Sequence, residues 1–291
     1  IYGDSAYFNR ATNETWIYLH PWAVNFYSGD TTEIYADTLY AIDDSANGKQ
    51  FLAGYPNAKL IFSGISAVAD SMVYNRTDSM ALLYKAPIVW SGDNQVSGDT
   101  IKLWVKNEAI DSLAVYGSAF SASLQVDDYF NQLKGLDMYG SFEDNDLVYL
   151  QVVGNAESLY FVEQGENTKV YEGTNRATAI KAEVFLENNR PKKIKFNQQP
   201  KGTFLPMQQS TGNKIKLDGL DWRPQLKPKP YLGDSAMRRF YAANPKYNPT
   251  HYYDDTLHIS EDSFPPPPDT TTRVTDTTDA DTAKTDTVIP S

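Results

Sequence analysis

The chain of 291 residues contains no cysteine. Disulfides, thiolate metal sites and cysteine nucleophiles are therefore excluded. Histidine is almost absent as well. His20, His251 and His258 are the full set, and no two of them stand at HExxH or HxH spacing, so no zinc ligand set can be drawn. His20-Pro21 falls between strands, where a structural or exposed histidine is expected. No GxSxG, P-loop or GxGxxG sequence occurs, and no apolar run approaches the length of a membrane-spanning helix. Basic residues are in the minority, 26 Lys and Arg against 37 Asp and Glu, for a formal net charge of −11. Without a basic stripe, a nucleic-acid partner is not expected. The carboxylate pairs Asp43-Asp44, Asp127-Asp128 and Asp254-Asp255 are what a glycosidase or lyase could use. Adjacent strand residues face opposite sides, however. The expectation is no catalytic residue, no metal and no cofactor.

Aromatic side chains are plentiful: 20 Tyr, 13 Phe and 5 Trp, rings suited to a pleated, half-buried surface. The sequence also repeats itself. Gly3-Asp4-Ser5, Ala36-Asp37-Thr38, Ala69-Asp70-Ser71 and Gly98-Asp99-Thr100 each combine a small residue, an aspartate and a hydroxyl residue, at Asp-to-Asp steps of 33, 33 and 29. Apolar residues keep their offsets around each copy. Two and four residues after the Asp stand Ala6 and Phe8, Leu39 and Ala41, Met72 and Tyr74, Ile101 and Leu103; three before it, in the later copies, stand Ile34, Ala67 and Val96. Offsets of +2 and +4 share one strand face. The −3 position has the opposite parity, so the chain must kink or bulge at the aspartate to turn both sets inward. The aspartates themselves read as corner hydrogen-bonding groups rather than catalysts.

Further strands are expected at 16–19, 22–27, 59–62, 80–84, 88–90 and 113–116, with turns at 28–30, 43–48, 75–78 and 91–94, since Gly, Asn, Asp and Ser cluster there. A variant repeat runs through Gly154-Asn155-Ala156, and 177–186 with 192–196 make a last hairpin. The best helix candidate, 127–133, is poor. The fold class is all-β, as a stacked jelly roll, a sandwich or a β-helix. Residues 1–205 form the repeat domain. Residues 206–259, with prolines at 224, 228, 230, 245 and 249, are expected to lie extended across the β body or to form a small subdomain. Residues 260–291, rich in Thr, Asp and Pro, are expected to be a disordered tail. Ile1-Tyr2-Gly3-Asp4 reads as the interior of a repeat, which suggests a chain trimmed at its N-terminus, with any signal peptide not present in it.

Within 64–123, Ala69-Asp70-Ser71-Met72-Val73-Tyr74, Ala81-Leu82-Leu83-Tyr84-Lys85-Ala86, Val96-Ser97-Gly98-Asp99-Thr100-Ile101 and Ala114-Val115-Tyr116-Gly117 follow one another. This series resembles the OstA/LptA-like lipopolysaccharide transport family, in its Bacteroidetes-type OstA-like form. Lys85-Ala86-Pro87 stands where the family usually has Gly-Asn-Ala, a triplet matched later at Gly154. The likeness covers about residues 1–225. It implies a twisted, partly open β-jelly roll of stacked two- to three-strand repeats, here with an irregular C-terminal extension. It implies a periplasmic bridge, with or without outer-membrane association, that passes lipopolysaccharide between membranes with acyl chains shielded inside a trough. Implied partners are LptC/LptD-like jelly-roll modules joined by strand-edge stacking, and a second copy of the chain. The residues assigned to the trough lining are Ile34, Leu39, Leu60, Met72, Tyr74, Val96, Ile101 and Leu103; by motif position Leu60, Met72 and Tyr74 match places that touch lipid in the family. The Asp-Ser/Thr-apolar triplets, such as Asp111-Ser112-Leu113 and Asp286-Thr287-Val288, also resemble the O-glycosylation acceptor motif of Bacteroidetes. The competing reading is a structural or adhesive β-repeat surface protein without lipid cargo.

Overall fold

A computed structural model describes residues 1–229 apart from 28–29, 63, 108, 144–145, 166–167 and 188–189. The expectations for 230–259 and for the tail 260–291 lie outside the described residues. In chain order the strands are β1 (Ser5–Asn9), β2 (Glu14–Tyr18), β3 (Trp22–Tyr27), β4 (Asp30–Tyr35), β5 (Thr38–Asp44), β6 (Lys49–Tyr55), β7 (Ala58–Phe62), β8 (Ile65–Ala69), β9 (Ser71–Asn75) and β10 (Met80–Tyr84). They continue as β11 (Ile88–Ser91), β12 (Asn94–Ser97), β13 (Thr100–Lys106), β14 (Ala109–Leu124), β15 (Phe130–Glu143), β16 (Asp146–Glu163), β17 (Tyr171–Glu187), β18 (Arg190–Asn197) and β19 (Lys201–Pro206). Only short 3-10 turns interrupt them among the described residues, and no described helix is long and apolar enough to cross a membrane. The poor helix candidate at 127–133 is a turn leading into β15.

All the strands join one antiparallel hydrogen-bonded sheet, which folds into two leaves. One leaf runs β1-β2-β5-β6-β9-β10-β13 and the other β3-β4-β7-β8-β11-β12. Strands β14 to β17 belong to both. Their 109–116, 137–143, 146–153 and 181–187 stretches extend the first leaf, and 119–124, 130–135, 156–163 and 171–179 extend the second. Strand β18 edges the first leaf and β19 the second. Among the described residues the chain thus crosses between leaves along one side, a spine. Along the opposite side stand two rows of hairpin turns, one per leaf, and no described backbone bridges them. The result is an open, V-shaped jelly roll.

The spine explains the repeat. Asp4, Asp37, Asp70 and Asp99 mark the crossings from the second leaf to the first, and their partners are the return crossings in the next strand pair. Those return corners take left-handed backbone at Leu19 and His20, Asn57, Lys85 and Ala86, Gly117 and Ser118, and Gly154 and Asn155. His20 Nδ1 lies 2.9 Å from Asp4 Oδ2, Asn57 Nδ2 donates to Asp37 Oδ2 at 2.7 Å, and Lys85 Nζ donates to Asp70 Oδ2 at 2.9 Å. The Asp99 carboxylate fills the space where a Gly117 side chain would be. Asp4, Asp37 and Asp70 are therefore corner locks, bonded to side chains across the corner, and Asp99 packs into the space left by Gly117. The Ser71 hydroxyl and then Lys85 hold the Asp70 carboxyl below its usual range. Lys85-Ala86 and Gly154-Asn155 occupy the same row, as the sequence comparison of the two triplets suggested.

Side-chain parity sets the two faces. Ile34, Ala67 and Val96 in the second leaf, and Leu39, Met72 and Ile101 in the first, all turn inward into one continuous cluster from Ile17 to Val184. The outer face of the first leaf carries an aromatic ladder in which Tyr7, Trp16, Tyr40 and Phe51 sit on adjoining strands with ring centroids 5.5, 4.8 and 5.6 Å apart, the cross-strand pairing that stabilises an exposed sheet face. The outer face of the later second leaf is covered by residues 207–229, which run back from β17 toward β12. Gln132 donates to the Ile215 carbonyl (2.9 Å) and accepts from the Leu217 amide (2.7 Å); Gln95 donates to Asp221 O (2.6 Å) and accepts from the Arg223 amide (2.9 Å). Leu217 and Trp222 pack with Phe120, Phe130, Leu159 and Phe161 in a second cluster. The described part of the Pro-rich segment lies across the β body.

Candidate apolar trough

Between the leaves, toward the hairpin side, lies a cavity of about 680 Å³. Ile34, Leu60, Met72, Tyr74 and Leu103 line it, together with Ala23, Leu52, Phe62, Ala81, Val105 and Ile110. Asp43, Gln50, Arg76, Ser79 and Asn107 add polar groups at the hairpin tips, where Gln50 Nε2 donates to Asp43 Oδ1 at 2.6 Å and the Arg76 amide donates to Gln50 O at 3.0 Å. An apolar interior with a polar lip suits an amphiphile: chains below, head group at the rim.

Of the residues assigned to the lining from sequence, five stand on the cavity wall. Leu39, Ile101 and Val96 lie in the packed interior next to it, at 0%, 0% and 5% exposure, and contribute its support rather than its surface. The sequence reading missed Leu52, Phe62, Val105 and Ile110. Leu52 could have been found, since it alternates with Gly54 on the inward face of β6; Ile110 could not, because its inward turn depends on a bulge.

The hairpin tips of the first leaf differ along the molecule. In β5/β6 and β9/β10 the register is regular to the last pair. In β13/β14, β15/β16 and β17/β18 it shifts near the tip, between Trp104 and Val105, Ser141 and Phe142, and Phe185 and Leu186. One additional residue on each returning strand, Asp111, Val148 and Lys192, reverses the parity, so that Ile110 turns inward opposite Val105 and Leu147 opposite Phe142. At these tips Phe142 and Leu147 are 8% and 5% exposed.

A second cavity, of about 620 Å³, lies outside the spine beneath residues 218–223 and is lined by Lys134, Glu157, Asp218, Asp221 and Arg223 among others. Its charges are largely spent on one another and on the covering segment: Lys134 Nζ reaches Asp218 O at 3.1 Å and Glu157 Oε1 at 3.7 Å, Arg176 meets Glu157 at 3.3 Å, and Arg223 pairs with Asp221. Among the described residues no group of three or more His, Asp or Glu side chains is placed to hold a metal ion.

No protein-family model matches the sequence, and no curated protein matches it significantly. Among solved structures the chain is similar to LptH, the LptA-homologous periplasmic component of the lipopolysaccharide transport device of Pseudomonas aeruginosa. The identity is 14% and the TM-score 0.36, with 48% of this chain and 93% of that chain covered.

Proposed function

We propose that this chain is a periplasmic carrier in lipopolysaccharide transport, holding acyl chains between its two leaves and working beside jelly-roll modules of its own kind in outer-membrane assembly. The observation that carries this reading is the unfilled apolar stretch between the leaves, open along the hairpin side and bordered by Asp43, Gln50 and Arg76. Moving a CH₂ out of water is worth about 0.8 kcal/mol, so a chain of about twelve carbons represents roughly 9 kcal/mol. A lipid of that kind needs continuous apolar shelter in an aqueous space, and shelter without directional bonds lets it move on. The sequence resemblance to OstA/LptA-like proteins points the same way, with Leu60, Met72 and Tyr74 as the contacts. A photo-crosslinking residue at Tyr74 or Leu60 is expected to yield a lipopolysaccharide adduct in cells; its absence at both positions would remove the reading.

Close packing of the interior around Met138 and Val152, each 0% exposed, favours the second reading, a structural β-repeat protein. Native mass spectrometry of the full chain separates the two, because a carrier retains lipid on purification and a stalk does not.

A further inference from the structure

We infer that the trough is a blind pocket loaded from the side: the bulged hairpins seal its mouth from β13 onward, so acyl chains enter over the joined β5/β6 and β9/β10 tips, between the two leaves, and do not travel past Val105 and Ile110. This deepens the carrier reading and rests on it.

Three observations converge. The rim residues change character along the first leaf, from Asp43, Gln50, Arg76 and Ser79 in the regular hairpins to Val105, Ile110, Phe142, Leu147 and Leu186 in the bulged ones, with Asn107 as the polar group at the first bulged tip. The bulges supply the mechanism, since a single inserted residue turns the following side chain to the other face and bends the strand. Two apolar side chains then meet inside each tip, where the regular hairpins leave a polar pair. Burial is tightest at the middle bulged tip, where Phe142 and Leu147 are both buried; at the tips on either side Ile110 is buried while Val105 and Leu186 are partly buried, as Leu52 and Tyr74 are in the open stretch. Beyond the far wall the interior is occupied by Leu113, Met138, Leu150, Val152 and Val184, all buried. Strand β18, at that end of the first leaf, carries Pro191, Lys193 and Lys195, and proline with lysine on an edge discourages strand addition. A trough that served as a through-passage would need an unsealed mouth or an empty interior in these last repeats.

The test is site-specific photo-crosslinking in the purified full chain, with purified lipopolysaccharide as the probe. The reactive residue is placed at Tyr74 or Leu52 in the open stretch, and at Phe142 or Leu186 in the sealed one. Tyr74 and Phe142 exchange one aromatic for another, and circular dichroism confirms the fold of each variant. Adducts at 74 and 52 with none at 142 and 186 support the blind pocket. Adducts at all four sites overturn it and leave the carrier reading standing, now as a through-passage. Adducts at none overturn the carrier reading and the pocket with it. Adducts confined to 142 and 186 overturn the proposed direction of entry.

Discussion

Gly98 has no left-handed backbone to explain it; its small size is required by what it faces. A Cβ there would lie 3.0 Å from the Gly117 carbonyl oxygen and collide with Val115 Cγ1, which is 0% exposed and fixed in the core. Gly98→Ala should therefore behave as overpacking and cost about 1–3 kcal/mol. Asp99→Ala next door should cost about 0.5 kcal/mol or less, as an exposed substitution does, since the Asp99 amide keeps its bonds to Tyr116 O and Gly117 O. Urea unfolding midpoints of the two variants check the ranking, and a reversed order would show that the carboxylate rather than the close approach holds the corner. Tyr40 offers a pH test. Burial first, then its hydrogen bond to Glu14 and the charge of that carboxylate, push its phenol from 10.0 to about 12. The folded state therefore prefers the neutral phenol. The contribution is complete below the ordinary value of 10.0 and is lost as pH rises toward 12. Tyr40→Phe should remove the latest phenolate absorbance step in an alkaline titration and flatten the fall in stability across that window; an unchanged profile would place the late step on another tyrosine.

At the scale of elements, residues 207–229 are attached through two buried amides. Gln132, 3% exposed, pairs with both Ile215 O and Leu217 N and so imitates a strand neighbour. Gln132→Leu leaves that carbonyl and that amide unpaired, a cost of about 1–3 kcal/mol confined to the covering segment. Hydrogen exchange at the Leu217 amide should accelerate while β5 and β6 are unaffected; equal acceleration in β5 would mean that the segment supports the whole body. This attachment was hidden in the sequence, because Gln95 and Gln132 look like ordinary outward polar residues in alternating strands. The corner row was legible, since Asp4, Asp37, Asp70 and Asp99 recur with fixed apolar offsets. Its fifth member was not, because Leu136 stands where the aspartate would be. Only Gly135 keeps the pattern, facing Gly154 O at 3.0 Å as Gly98 faces Gly117 O. The full length of β14 and β17 is not legible beyond 113–116 and 177–186 for a related reason: their crossings are bulges that keep the ladder running instead of breaking it. For the trough, the inward positions followed from parity, but the sealing of its later half hangs on Asp111, Val148 and Lys192, whose effect is only one of register.

The whole molecule is graded from end to end. Each strand pair touches chiefly its neighbours, as in stacked repeats, so local stability should follow local construction. The early strands are short, β1 to β12 spanning four to seven residues, while β14 to β17 span 14 to 18 and serve both leaves at once. The later second leaf is also covered by residues 207–229, and the later interior lacks the cavity. Sub-global opening should therefore begin in the early repeats. Native-state hydrogen exchange should find the amides of Ile17 and Leu39 less protected than those of Val115 and Val152, although all four side chains are buried to 4% exposure or less. Leu39→Ala sharpens the test. A cavity cost of about 2–5 kcal/mol placed in β5 should lower protection through β1 to β9 and leave β15 to β17 unchanged, because the opening it promotes stops at the continuous strands. Val152→Ala, in the shared part, should lower protection at both ends, since no opened state of the early repeats outlives the loss of the later ones. Uniform protection, with both variants lowering every amide alike, would make the body one cooperative unit, and the early repeats could then not open to admit a lipid independently of the rest.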